Sequence, residues 1–270
     1  MNYAIRLAYD GTRYNGWQKQ GNTDRTIQGK LEAVLAELAG GPVEVQGSGR
    51  TDRGVHAEGQ TANFRLPADR DPGTVMEYLN RYLPEDIQVL SCARAPEAFH
   101  SRLSAVRKTY RYQIEMGPRR NVFQRNYYYG LGCGLDLERM QAGAGHLIGT
   151  HDFKSFCGNP RMKKSCVRTI EAIDFAGPKG AAAGCGLTGT QLFILYRGNG
   201  FLQQMVRILT GTLIEVGLGK REPESLEAVL RARDRQAAGF TAPAQGLFLV
   251  NVEYGEEYDR IFSEALCKEL

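Results

Sequence analysis

The sequence predicts an α+β protein of two α/β units, each a sheet with helices packed on one face. Apolar residues recur at helical spacing in residues 26–38 and again after Asp71-Pro72. Strand-like stretches flank both segments, so residues 1–100 read β-α-β-loop-β-α-β, an order that argues against a doubly wound nucleotide-binding sheet. An alternating stretch at residues 105–116 then opens a second unit, and 270 residues suit roughly two domains. The expected division is 1–104 and 105–270.

Residues 3–9 form the opening strand, stopped by Asp10-Gly11. The next loop carries Arg13, Tyr14, Trp17, Gln18 and Lys19. Interleaved rings and cations suit nucleic acid, because rings stack on bases and cations meet phosphates; equally, a lone tryptophan can plug onto the core. Ile27, Leu31, Val34, Leu35 and Leu38 make one helical stripe, with Thr26 as N-cap and Gly40-Gly41 as the stop. A short strand over 43–46 leads into a glycine-rich loop, and residues 59–66 alternate as a strand. Asp71-Pro72 opens a helix reaching Leu83, with Val75, Met76, Leu79 and Leu83 on its apolar side. Residues 87–92 read as a strand and 98–102 as a polar bridge.

In the second unit, the strand over 105–116 places Lys108, Tyr110 and Tyr112 on one face and Arg107, Thr109 and Arg111 on the other. A helix over about 137–148 leads to a loop at 151–156, and Arg161-Met162-Lys163-Lys164 is a basic patch on irregular chain. Strands are expected over 167–175 and 191–196, joined by a glycine- and alanine-rich turn over 177–189. A helix over 201–216 turns Phe201, Met205, Ile208, Leu209, Thr212, Leu213 and Val216 to one side, and Gln203, Gln204, Arg207 and Gly211 to the other. Gly211, one turn on, leaves room for another chain to approach. Arg207 either takes a carboxylate partner or snorkels to solvent. A short helix over 226–230 and a strand over 246–254 complete the chain.

Composition excludes several classes. Hydrophobic residues at 42% and charged residues at 24% are globular values, and a net charge of +4 is mild, so basic character matters only where it clusters. None of the six cysteines lies within two residues of another, which removes a Cys-x-x-Cys zinc or redox motif. Four scattered histidines do not suggest a metal centre, and no metal is expected. The N-terminus shows no signal pattern and no run nears 18 apolar residues, pointing to free thiols in a reducing cytoplasm without membrane attachment.

The candidate chemistry lies in residues 47–57, Gly-Ser-Gly-Arg-Thr-Asp-Arg-Gly-Val-His-Ala. Three glycines permit close approach or positive φ. Asp52 stands between Arg50 and Arg53, whose charge favours a carboxylate anion. Such a carboxylate is either a nucleophile or base, or one half of a surface ion pair.

Gly49-Arg50-Thr51-Asp52-x-Gly54-Val55-His56-Ala57 resembles the active-site signature of the tRNA pseudouridine synthase A (TruA) family. Four further stretches occur in the same order. They are Tyr9-Asp10-Gly11-Thr12 with Gly16-Trp17-Gln18; Phe99-His100-x-Arg102 to Lys108-Thr109-Tyr110-Arg111-Tyr112; Gly200-Phe201-Leu202 to Met205-Val206-Arg207; and Ala242-Pro243-Ala244-x-Gly246-Leu247. The resemblance implies an isomerase that converts uridine to pseudouridine in tRNA, with neither cofactor nor metal. It makes Asp52 the nucleophile, sets Tyr110 against the target base with a part in proton removal, and pairs Arg207 with Asp52. Arg50 would help hold the target nucleotide out of its stack. Arg53, His56, Lys108 and Leu247 complete the expected substrate contacts. The implied target is the anticodon stem-loop, at uridines 38, 39 and 40, bound by a homodimer that the tRNA spans. The implied fold is two ferredoxin-like α/β domains whose sheets form one continuous, largely antiparallel mixed sheet with a central active-site cleft.

Two departures qualify the match. The family helix commonly reads Phe-Leu-Tyr-His-Met-Val-Arg, whereas Gln203-Gln204 stand here for Tyr-His, beside Arg207 on the helical wheel. Arg53 follows Asp52 where small residues also occur. A non-catalytic RNA binder would have no need of a carboxylate facing phosphates. An aspartate-dependent hydrolase would want a second carboxylate, a histidine or a metal cluster beside Asp52.

Overall fold

The strand that opens the chain, β1 (Asn2–Tyr9), lies between β3 (His56–Arg65) and β4 (Ile87–Arg94), antiparallel to both. The computed structural model describes residues 1–159, 161–177, 190–258 and 261–262. Its contacts divide the chain into two units, residues 1–108 with the described residues from Phe248 onward, and residues 109–247. The first crossing lies four residues past the expected 104, and the final strand returns to the first unit.

In the first unit β2 (Val45–Gly47) pairs antiparallel with the distal half of β3, and β10 (Leu247–Tyr254) pairs parallel with its start, Phe248 opposite His56. The order β4-β1-β3-β2, with one helix after β1 and one after β3, is the ferredoxin-like βαββαβ arrangement. Helix α1 (Ile27–Ala39) starts where the Thr26 hydroxyl accepts from Gly29 N–H and stops at Gly40, φ 70°. Its Ile27, Leu31 and Leu35 are fully buried, each contributing about 1.5–3 kcal/mol. Helix α2 (Pro72–Tyr82) is capped by Asp71 and buries Val75 and Leu79. Asn80 clamps it to β4, donating to Val89 O at 2.9 Å and accepting from Val89 N–H at 2.8 Å.

Residues 98–102 are not the polar bridge that their composition suggests. Phe99 and Ser101 are buried, and Asn63 on β3 accepts from Ser101 N–H at 2.9 Å. This cover explains why Thr61 and Asn63 are buried along with the apolar Ala62 and Phe64. Both faces of β3 are therefore interior, and its polar residues are held by hydrogen bonds rather than by water.

The second unit contains most of β5 (Ala105–Met116), with β9 (Thr190–Gly198), β8 (Val167–Ala176) and β7 (Gly149–Asp152) following in that spatial order. The two hairpin pairings, β7–β8 and β8–β9, are antiparallel, while the short β6 (Tyr129–Gly130) pairs parallel with β5. The mixed, largely antiparallel α+β class thus holds in each unit. Residues 149–152 form β7, which takes the first two residues of the loop expected over 151–156, because four successive residues find partners on β8. Residues 178–189 of the expected glycine- and alanine-rich turn lie outside the described residues.

Helix α3 (Leu137–Gly145) ends three residues before 148, after two glycines in its last turn. Helix α4 (Met205–Gly217) is buried nearly all round, leaving only Arg207 and Glu215 partly exposed. It begins at Met205 rather than 201, because Gln204 takes the left-handed conformation, φ 59°. Consequently Gln203 and Gln204 precede the helix and do not flank Arg207 on a helical wheel. Gln204 packs instead on Gly158, where a Cβ would meet its Oε1 at 2.4 Å. The space at Gly211 is filled by the segment around Phe240, whose carbonyl oxygen a Cβ would approach to 1.9 Å. Helix α5 (Ser225–Ala232) buries Leu226, Val229 and Leu230.

Burial lifts the phenols of Tyr9, Tyr196 and Tyr254 above the ordinary tyrosine value. Each therefore keeps its proton longer when folded than when unfolded, so its contribution is complete below the unfolded value near pH 10 and falls above it. The slope is about 1.4 kcal/mol per pH unit for each such phenol. Urea midpoints should drop between pH 9 and pH 11, with tyrosinate absorbance rising in step with unfolding. An unchanged midpoint would contradict this.

Candidate active site

The loop carrying Asp52 is held from two sides within the first unit. On one side runs the segment leaving β1, where Asp10 makes an Asx turn by accepting from Thr12 N–H at 2.9 Å. Gly11 passes so near Val55 that a Cβ would lie 2.0 Å from its carbonyl oxygen. Gly16, φ 95°, likewise faces the Thr51 carbonyl at 2.6 Å, and Trp17 N–H donates to that oxygen at 3.1 Å. Only glycine meets both demands at position 16, the positive φ and the absent side chain. Tyr9 adds a buried hydroxyl contact to Thr51 at 2.8 Å.

On the other side, Gln60 of β3 is fully buried and bonds to both Ser48 Oγ, at 2.6 Å, and Gly49 O, at 3.0 Å. Lys108 donates to Ser48 O at 2.6 Å. A turn closes as Val55 N–H reaches Asp52 O at 3.1 Å, with Gly54 at φ 77°. Pinned at 48, 49, 51, 54 and 55, the loop leaves Asp52 half-buried and Arg50 and Arg53 exposed.

Two of the expected substrate contacts, His56 and Lys108, also make contacts within the fold. His56 is 1% exposed and stacks on Phe248 at 4.6 Å, so it supports the loop from beneath. Its Nδ1 has the Gly11 N–H and the Asp10 carboxylate both at 3.1 Å. One nitrogen cannot accept from the first while donating to the second. The backbone hydrogen has a fixed direction, which favours the accepting form. Lys108 bonds to a loop carbonyl, as described.

In the loop over 11–19, Trp17 and Tyr14 are buried at 2% and 5%, which decides for the core plug over base stacking. A Cβ on Gly47 would lie 2.4 Å from the Trp17 ring. The cations of this loop are paired, Arg13 with Asp86 and Lys19 with Glu32, both at 2.8 Å. The clamp role of Gln60 has no motif in the sequence beyond a polar side chain within a strand-like stretch.

The second unit arranges the remaining candidates. Tyr110 on β5 is buried and meets Phe201 edge-on at 5.2 Å. Two residues on, Tyr112 is fully buried and donates to Pro243 O at 2.7 Å. Burial raises the Tyr112 phenol well above the ordinary value, opposed by the nearby Arg207 charge. Arg207, in the first turn of α4, donates from Nε to Ala242 O at 2.7 Å, while its own carbonyl accepts from Ala242 N–H at 3.0 Å. Gly246 presses on the Tyr112 ring, where a Cβ would come within 2.8 Å. Leu247, which starts β10, is 5% exposed. The basic patch is outside these contacts: Arg161, Lys163 and Lys164 are exposed on irregular chain.

Among the described residues no three His, Cys, Asp or Glu side chains are placed to hold a metal ion. Nor is any described helix long and apolar enough to cross a membrane.

The family model for tRNA pseudouridine synthase matches residues 5–103 and 144–255. Asp52 and Arg207 fall inside the matched residues, and Lys108 and Tyr110 between them. tRNA pseudouridine synthase A of Bacillus sp. (strain KSM-64) is 44% identical over 255 residues, 94% of this chain and 99% of the relative. The protein of the same name from Halalkalibacterium halodurans is 46% identical over 248 residues, 90% of this chain and 89% of the relative. tRNA pseudouridine synthase A 2 of Bacillus cereus is 40% identical over 253 residues, with coverage of 94% and 99%.

Gly11→Ala tests the packing of the loop. The added methyl meets a backbone oxygen that cannot rotate away, so the loop must move, at about 1–3 kcal/mol. Thermal unfolding should shift accordingly, and limited proteolysis should cut within 48–55 sooner than in the parent chain. Equal stability and equal cleavage would show that the two segments do not constrain each other.

Proposed function

This chain belongs to the tRNA pseudouridine synthase family, and we propose that it isomerises uridine to pseudouridine in the anticodon stem-loop of tRNA, at positions 38, 39 and 40, with Asp52 as nucleophile. The observation that carries the assignment of Asp52 is its presentation: a half-buried carboxylate on a loop fixed on both sides, between two exposed guanidinium groups.

The net reaction breaks the N1–C1′ bond and forms a C5–C1′ bond. The C5 proton leaves and N1 regains one, so product and substrate have the same atoms. Such a reaction calls for a nucleophile to ease departure of the base, a way to hold the free uracil while it turns, and a group to take the C5 proton. We assign the first role to Asp52 and the last two to the surroundings of Tyr110. Arg207 is the proposed partner of the Asp52 carboxylate. The Ala242 contacts at Nε and at the backbone support this role, because they fix the direction in which the guanidinium stem leaves the helix. Arg50 and Arg53 are the proposed contacts to the extruded nucleotide. The proposal extends to a homodimer spanned by its tRNA, working in the cytoplasm, where tRNA is found.

Incubation with unmodified tRNA transcript, followed by carbodiimide primer extension through positions 38–40, tests the reaction. Conversion should occur at one or more of these uridines, and absence of conversion by the parent protein would sink the reading. Asp52→Asn should lose more than about a thousandfold in turnover while still binding tRNA, as loss of a covalent nucleophile does. Activity surviving in that variant would remove Asp52 from the role. Arg207→Met should lower kcat about a hundredfold with KM changed far less, the pattern for an interaction made in the transition state. Equal losses in kcat and binding would remove the proposed pairing.

A further inference from the structure

An open groove of about 710 Å³ on the first unit is lined by Arg13, Arg25, Lys30 and Arg53, with Asp24 and Asp86 among its other walls. Its four cations are not equivalent. Arg13 is held by Asp86 at 2.8 Å and Lys30 by Asp24 at 3.4 Å. Arg25 and Arg53 are exposed and have no carboxylate within ion-pair distance among the described residues. Two guanidinium charges are therefore left uncompensated in one groove, and Arg53 is the residue next to Asp52.

The frame around them is rigid. Tyr14, buried beneath, donates its hydroxyl to Asp86, the carboxylate that also takes the Arg13 fork. The Arg25 carbonyl accepts from Asn15 N–H at 2.8 Å, and the next residue is the N-cap of α1. Arg25 thus projects from a fixed backbone rather than from a loose loop. Tyr14 is 5% exposed and so presents no ring to stack on, which removes base recognition of the single-strand kind. What the groove offers is positive charge along an open path, the chemistry of a phosphodiester backbone.

We propose that this groove binds the backbone phosphates of the tRNA strand adjoining the target uridine, with Arg25 and Arg53 neutralising them and Asp24 restraining Lys30. The inference rests on the RNA-modifying reading of the Asp52 loop. It adds a sequence-independent grip that fixes register one residue from the nucleophile, so that base identity is left to the site itself.

Binding of unmodified tRNA transcript by the full-length protein, measured from 50 to 300 mM KCl, tests it. Each released counterion contributes to the slope of log K against log salt, by about 0.7–0.9 per phosphate contact. Arg25→Gln should weaken binding about three- to tenfold at the lower salt and make the slope shallower by about that one contact. Asp24→Asn frees Lys30 and should act in the opposite direction, with tighter binding and a steeper slope. Arg65→Gln, the same charge change at the far end of β3 from the loop, should leave the slope as in the parent. Arg25→Gln with the parent slope and affinity overturns the proposal, as do shifts of Arg25→Gln and Asp24→Asn in one direction. A small free anion as the true occupant would show as stabilisation of the parent protein, but not of Arg25→Gln, by inorganic phosphate with tRNA slopes unchanged; that too overturns it. Loss of the parent's pseudouridine formation bears on the catalytic reading, and the binding slopes are read independently of it.

Discussion

The segment that leaves β1 lies on the loop bearing Asp52, backbone against backbone, with Gly11 over the Val55 carbonyl and Gly16 over that of Thr51. No side chain fits at either crossing. This contact sets where the carboxylate stands, because Asp52 lies between the two pinned carbonyls. The surrounding features serve the same contact. Trp17 fills the space at Gly47, Tyr9 ties Thr51, and His56 supports the Gly11 amide from below. For the nucleophile role proposed for Asp52 such fixing matters, since a reacting group misplaced by an ångström loses much of its rate. Backbone crossings are stiffer than side-chain contacts, which can change rotamer.

The second unit solves the parallel problem for a cation. Arg207 is on a helix buried almost all round, where an unheld guanidinium would be costly. The Ala242-Pro243-Ala244 stretch answers by bonding Arg207 at its Nε and at its backbone, while Tyr112 grips the Pro243 carbonyl. Here too a glycine, Gly246, permits the approach by leaving space for the Tyr112 ring. In both units the short motifs that look like loose loop sequence are the parts most tightly specified by packing.

Charge is distributed by the same economy. Basic residues around 11–19 that suit RNA in isolation are mostly consumed by local carboxylates, and the aromatics between them are buried. Near Asp52 in the sequence Arg50 and Arg53 stay exposed on the loop, and Arg25 at the entrance to α1 shares a groove with Arg53. A mild net charge of +4 therefore says little about where an anion binds; the pairing pattern says more.

The sequence by itself determined the α+β class, the boundaries of most strands and of α1 and α2, and the motif order that identifies the family. These depend on local periodicity, capping residues such as Thr26 and Asp71, and spacing, all of which are written within a few residues. The tertiary structure decided what no local pattern encodes. Trp17 went to the core because Gly47 leaves it a place there, and Phe99 and Ser101 turned inward where they cover β3. Helix α4 starts at Met205 because Gln204 seats on Gly158, a partner more than forty positions away in the chain. Asp52 was legible as a candidate from its motif, but the Gln60 clamp and the uncompensated Arg25 were not, since a polar residue's meaning depends on whether a partner or water meets it. That is settled only when distant segments pack.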